Sequence, residues 1–190
     1  MRLLVVPICV AAAVATSAAF ASGGPGLTGA RPCSTEAGFT CATLRVPLDW
    51  TGERPGTLRL AVAVARDAKA PRGVLLWLSG GPGQPAASDA ASVVQRLGTI
   101  ASSYRVVSFD QRGTGSSVLD CPGLQEEMGY SDLQPPTAAA VRACAARIGP
   151  ARAFYGTDDT VRDIDALRKA LGVDKLTIQG TSYGTYVAER

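Results

Sequence analysis

Residues Lys175 to Gln179 (KLTIQ) run without a spacer into Gly180-Thr181-Ser182-Tyr183-Gly184, and a helix-forming stretch, Tyr186 to Arg190, follows. No other part of the chain restricts its fold as much. A strand that reverses into a helix within so few residues leaves no room for a side chain at either glycine. The serine at the centre is then held out at the tip of the turn with Oγ exposed. The same turn aims the amide of Tyr183 at a developing oxyanion. Five residues of this pattern arise easily by chance in a chain rich in glycine and serine, so the weight lies on the strand before and the helix after. The stretch predicts a nucleophile elbow with Ser182 as nucleophile and Gly180 and Gly184 as its structural supports.

The rest of the chain supplies a sheet for such an elbow. Leu44, Val46, Leu48 and Trp50 alternate, as do Leu58, Leu60, Val62 and Val64, around a turn rich in Gly and Pro. Two period-two runs about a turn predict an antiparallel hairpin. Gly73 to Leu78 (GVLLWL) and Tyr104 to Phe109 are short continuous apolar runs, the mark of strands buried on both faces. Helices are expected at Ala91 to Leu97, Ala138 to Ile148 and Asp158 to Leu171. In the last, Val161, Ile164, Leu167 and Leu171 share a face, Thr157 or Asp158 caps the start, and Gly172 ends it. A hairpin followed by alternating strands and helices predicts an α/β layer fold with a mostly parallel sheet. The stretch around Cys121, Pro135 and Pro136 reads as irregular.

Two glycine-rich loops follow the buried strands. Ser79-Gly80-Gly81-Pro82-Gly83 comes directly after GVLLWL, and its amides can approach a ligand closely. Upstream of an elbow, a loop in this place is a candidate to supply the second oxyanion amide. Asp110-Gln111-Arg112-Gly113-Thr114-Gly115 follows Phe109. It lacks the third glycine of a dinucleotide fingerprint and the GK[ST] of a phosphate loop. Asp110 and Arg112 are therefore assigned to support, paired with each other and holding neighbouring loops.

Arg2, the apolar run Leu3 to Val14, and Ala19-Phe20-Ala21 read as a secretory signal peptide cleaved after Ala21. The apolar part is shorter than the ~20 residues a spanning helix needs, so no stable membrane association is expected after cleavage. Cys9 leaves with the signal. The remaining four cysteines, in an oxidising compartment, predict two disulfides. Three pairings are possible, and Cys33–Cys41 with Cys121–Cys144 is favoured because each closes a loop between core elements. No cysteine pair has C-x-x-C spacing and the chain has no histidine, so no metal is expected. A net charge of +3 without a Lys/Arg block gives no reason to expect nucleic acid.

In this order and spacing, SGGPG, FDQRGTGSS and GTSYG resemble the prolyl iminopeptidase and tripeptidyl aminopeptidase family of α/β-hydrolases. CATLRVPLDW, DCPGL and ACAAR are similar to its secreted tripeptidyl branch. The resemblance runs from about Cys33 to Arg190 and implies an enzyme that removes short N-terminal units from peptides, with no cofactor. It implies Ser182 as nucleophile and the amides of Gly81 and Tyr183 as oxyanion donors, with Gly80, Pro82 and Gly83 shaping the loop. Ser79 stands where prolyl iminopeptidases usually carry His, which favours the tripeptidyl branch. The expected organisation is a signal peptide over 1–21, a mature N-terminal segment over 22–43, loose through Arg31, and the amino-terminal part of an α/β-hydrolase domain over 44–190. That part comprises an antiparallel hairpin and the first parallel strands up to the elbow. In this fold the triad acid and then the histidine follow the serine. With neither in place the 190 residues are expected to be a truncated, inactive piece with an exposed sheet edge at Lys175 to Gln179. An esterase on the same fold, or a non-catalytic secreted binding module, are the alternatives.

Overall fold

The computed structural model describes residues 26–66, 69–129, 131 and 133–190; the signal-peptide reading of 1–21, with Cys9, lies outside them. Six strands form one sheet: β1 (Leu27–Pro32), β2 (Phe39–Pro47), β3 (Thr57–Ala65), β4 (Val74–Leu78), β5 (Arg105–Phe109) and β6 (Thr177–Gly180). Their order across the sheet is β1-β2-β3-β5-β4-β6. The first three pair antiparallel, β3 pairs antiparallel with β5, and β5, β4 and β6 are parallel. The sheet is thus mixed, with three of its five pairings antiparallel, rather than mostly parallel.

Alternation sets its two faces. Leu44 and Val46 of β2, Leu60 and Val62 of β3, Leu76 and Leu78 of β4, and Val107 and Phe109 of β5 point one way. The helices α4 (Thr157–Ala170) and α5 (Tyr183–Glu189) cover this face through Ile164, Leu167 and Val187. On the other face, Ala63, Trp77 and Val106 pack against Ala90 and Val93 of α1 (Ala90–Leu97). All five residues of β4 are buried, as expected for a strand covered on both sides. The result is a three-layer α/β/α fold.

Three further expectations are corrected in the elements themselves. The stretch expected to be loose through Arg31 becomes β1 from Leu27 onward, because its backbone pairs with β2 at Leu27–Leu44 and Arg31–Cys41. Backbone pairing asks little of side chains, so a Gly/Pro-rich composition did not betray it. The segment around Cys121 holds a short helix, α2 (Pro122–Glu127), beside α3 (Ala138–Ile148). Helix α4 is capped at Gly156 rather than by a Thr157 or Asp158 side chain: Asp159 Oδ2 accepts from the Gly156 N–H at 3.3 Å. Its other end follows the expectation. Gly172, at φ +69°, donates to Lys169 O while Val173 N–H donates to Arg168 O, the paired bonds of a Schellman ending.

Both disulfides form as favoured, Cys33–Cys41 and Cys121–Cys144, with Cα separations of 4.9 and 5.4 Å. Their settings differ. Cys33–Cys41 ties β1 to β2, which already share a ladder. Cys121–Cys144 joins α2 to α3, neither of which contributes a fully buried residue. An excursion without a core of its own depends on such a cross-link.

Asp110 and Arg112, expected to pair, do not. Asp110 continues the alternation of β5 toward the α1 face, where Oδ1 accepts the amides of Ala86 and Ala87, each at 2.9 Å. Arg112, beyond the turn, reaches the α4 face. There its Nε and Nη2 grip Asp163 at 2.7 and 2.6 Å, and both side chains are fully buried. Nη1 donates to the carbonyls of Leu48, at 3.0 Å, and Phe154, and Trp50 Nε1 donates to Asp163 Oδ1 at 3.0 Å. Burial pushes the Asp163 carboxyl up, against the pull of Arg112 and the Trp50 N–H. One ion pair therefore fastens β5, α4 and the β2–β3 turn together.

Removing one charge leaves the other buried, which costs about 3–5 kcal/mol. Asp159, 4.0 Å from Arg112 Nη1, is the nearest other carboxylate to that guanidinium among the ion pairs described. Asp163→Asn is expected to lower unfolding stability by about 3 kcal/mol in urea titration. A change below about 1 kcal/mol would mean that Asp159 replaces it as the counter-ion.

Candidate active site

Strand β6 delivers the chain to the turn, and α5 begins at Tyr183. Ser182 lies between them at φ +51°, ψ −121°, and no other non-glycine residue among those described has a positive φ. A side chain in this region is strained and persists only where its surroundings force it. Here they do. A Cβ on Gly180 would lie 2.4 Å from the Gly184 carbonyl carbon, and one on Gly184 would lie 2.4 Å from Leu78 O. The Thr181 N–H donates to Leu78 O at 3.1 Å, and the Gly184 N–H donates to Thr181 O at 2.8 Å. The turn is pressed against the end of β4 so closely that only glycine fits at both positions, and Ser182 is left exposed at its tip.

The loop after β4 meets it there. A Cβ on Gly80 would stand 2.8 Å from Ser182 Cβ and 3.5 Å from its Oγ, so the Gly80 backbone lies against the serine. Gly81 follows at φ +107°, where a Cβ would lie 2.7 Å from Gly83 N. The Gly81–Pro82 peptide is cis and Gly83 has φ +110°. This loop thus carries Gly81 next to the residue that touches the serine, while the Tyr183 amide follows the serine in sequence. The chemistry this permits is attack by a hydroxyl on a carbonyl, with backbone N–H groups near the oxygen that gains charge.

Beside the serine, a cleft of about 460 Å³ is lined by Trp77, Ser79, Gly80, Gln84, Asp89 and Thr181. At its edge Arg96 lies over the Trp77 ring and bonds Asp89 at 2.6 Å, and this hydrogen bond holds the Asp89 carboxyl below its ordinary range. The Tyr183 ring is anchored through its hydroxyl, 2.7 Å from Thr157 Oγ1 at the start of α4.

Of the residues singled out in the sequence, Ser182, Gly180, Gly184, Tyr183, Gly80, Gly81, Pro82 and Gly83 converge on this end of the sheet. Asp110 acts one step back, through the amides of Ala86 and Ala87. Arg112 faces α4 instead, and the four cysteines belong to the β1–β2 edge and the α2–α3 excursion. The contacts made by Asp163, Trp50, Thr157 and Gln111 were not foreseen. Asp163 had a legible signal: it is an acid on the apolar face of α4, four residues before Leu167. A carboxylate there needs a buried cation.

Residues 73–189 match the alpha/beta hydrolase fold family. Over 169 residues the chain is 32% identical to a tripeptidyl aminopeptidase of Streptomyces lividans, covering 77% of this chain and 31% of that protein. It is 33% identical over 169 residues to the serine protease Hip1 of Mycobacterium tuberculosis, covering 79% and 32%. Among solved structures it is similar to a proline iminopeptidase-related protein of Thermus thermophilus, at 24% identity and a TM-score of 0.44, covering 77% of this chain and 38% of that one. The chain therefore spans about a third of the length of the relatives it matches.

The contact of Gly184 with Leu78 O gives a prediction about the turn itself. Gly184→Ala must push the elbow off β4, at a cost of about 3 kcal/mol or more. Thermal unfolding should show a lowered midpoint; a change within about 0.5 kcal/mol would mean that the turn tolerates a side chain after all.

Proposed function

Because the chain belongs to the α/β-hydrolase fold family, we propose that it carries the nucleophile and oxyanion donors of a secreted serine exopeptidase that releases short N-terminal units from peptides. One observation carries this reading: Ser182 is held at positive φ on a turn wedged against β4, with the backbone of Gly80 at its side. A hydroxyl kept in a strained, exposed position, next to a loop of closely spaced amides, suits acyl transfer.

In the proposed reaction Ser182 Oγ attacks the scissile carbonyl and its proton passes to a general base. The amides of Gly81 and Tyr183 donate to the oxyanion of the tetrahedral intermediate. Collapse expels the amine of the shortened peptide, protonated by the base, and water then releases the acyl group from Ser182 by the same steps in reverse order. No metal or organic cofactor takes part. The sequence holds no histidine, and in this fold the acid and then the histidine follow the serine, so the base and the acid that orients it are assigned to protein outside these 190 residues. Without them the Ser182 hydroxyl stays a weak nucleophile, and the 190 residues alone are inactive.

Peptide rather than ester chemistry is supported by the relatives, named as a tripeptidyl aminopeptidase and a serine protease. Secretion is supported by the two disulfides. No helix among the described residues is long and apolar enough to cross a membrane.

The test is hydrolysis of tripeptide arylamides against short acyl esters by the protein purified as its source makes it. Arylamide turnover should dominate, and Ser182→Ala should lower it by at least about 10⁴-fold. Turnover that survives Ser182→Ala, or a preference for the ester, would overturn the peptidase reading. Serine-dependent turnover by the isolated 190 residues would overturn the assignment of the base.

A further inference from the structure

The loop that carries Gly81 is held at both ends by consecutive residues of another loop. At its far end Asp110 Oδ1 accepts the amides of Ala86 and Ala87. At its near end Gln111 Nε2 donates to Ser79 O at 3.0 Å. Gln111 is 6% exposed and Asp110 is 4% exposed, so both side chains are withdrawn from solvent; the Asp110 bonds are buried and the Gln111 bond is partly so. Gly115 completes the seat of Asp110: a Cβ there would lie 1.8 Å from Asp110 Oδ2, so only glycine lets the carboxylate sit where it does.

The near clamp falls at a sensitive place. The Ser79 carbonyl belongs to the peptide plane that ends in the Gly80 nitrogen, and the next plane carries the Gly81 N–H. Between the clamp and that N–H stands Gly80, which has no side chain to restrict its rotation. Fixing the Ser79–Gly80 plane leaves only the dihedrals of Gly80, and contact with Ser182 limits those. Without the Gln111 bond, the Ser79–Gly80 plane is held only by packing against the elbow, where a Cβ on Gly184 would lie 2.9 Å from Ser79 O. The internal bonds of the loop, Gln84 N–H to Gly80 O and Ser79 Oγ to Pro85 O, are both long at 3.4 Å and do not replace it.

We propose that Gln111 is a positioning residue for the oxyanion donor, acting through the Ser79 carbonyl to hold the Gly81 N–H toward the substrate carbonyl oxygen. The inference rests on the peptidase reading above and deepens it. It assigns a role to a side chain that touches no reacting atom. A donor that must be in place before charge develops contributes to the transition state and little to ground-state binding. Loss of an oxyanion donor outright costs about 10²–10³ in kcat. Loss of its alignment should cost less.

Gln111→Met keeps the length and bulk of the side chain and removes the donor. In the tripeptide arylamide assay on the purified source protein it is expected to lower kcat about 10- to 100-fold with KM within about twofold. Affinity for a peptide boronate, which becomes tetrahedral on the serine, should fall by a similar factor, while affinity for the product peptide stays unchanged. A merely structural role would move the melting temperature without this split. If Gln111→Met fails to fold, Gln111→Glu, near-isosteric and without a donor when ionised, is read by the same three measurements. An unchanged kcat, or equal losses of boronate and product affinity, would overturn the proposal. Wild-type and Ser182→Ala protein are run beside it. Without serine-dependent turnover by the wild type, the peptidase reading fails and takes the inference with it. With turnover intact and the variants unaffected, the inference alone fails.

Discussion

The buried pair of Arg112 and Asp163 is the contact on which the arrangement of the layers depends. Arg112 belongs to the loop at the end of β5, and Asp163 to the middle of α4; the same guanidinium reaches the carbonyls of Leu48 and Phe154. A charge taken so far from water is tolerated only because nearly every donor finds a partner. The geometry is consequently narrow. A hydrophobic contact would hold α4 on the sheet in several registers, whereas a two-pronged ion pair fixes one. Since α4 also presents Thr157 to the Tyr183 hydroxyl, that register reaches the elbow.

The adjacent Asp110 and Gln111 work in the opposite direction, across the sheet. Three consecutive side chains at the end of β5 thus address both sides: Asp110 and Gln111 hold the loop beside the serine, and Arg112 holds the helix behind it. The end of a central strand is a rigid place from which to do so, because Val106 to Phe109 are buried on both faces. Rigid elements place small groups better than loops do. The glycines at 180 and 184 finish the work by admitting the turn to the end of β4.

Much of this was legible in the sequence. The strands β3 to β5, the helices α1, α3 and α4, both disulfides and the elbow follow from periodicity, cysteine placement and glycine chemistry. Those signals are local, and their physics is local. What the sequence hid was pairing at a distance. The strand at Leu27–Pro32 exists because of its neighbour, so nothing in its own composition marked it. The choice of Asp163 over Asp110 as partner for Arg112 depended on which face each residue met after the turn. The seat of Asp110 was equally invisible, since the amides it accepts lie more than twenty residues away.

The order of the strands has a consequence for how the chain is made. Strand β4 lies between β5 and β6, and β6 comes last of the three in sequence. One edge of VLLWL is therefore covered once β5 is synthesised, while the other waits for the intervening helices to be completed. At ~5–20 residues per second this interval lasts roughly 4–14 s. For that time the most apolar of the described strands offers an open hydrogen-bonding edge to any other nascent chain. The serine is fixed by the same strand that ends the exposure, so the nucleophile takes its geometry only when the sheet has closed over its most vulnerable edge.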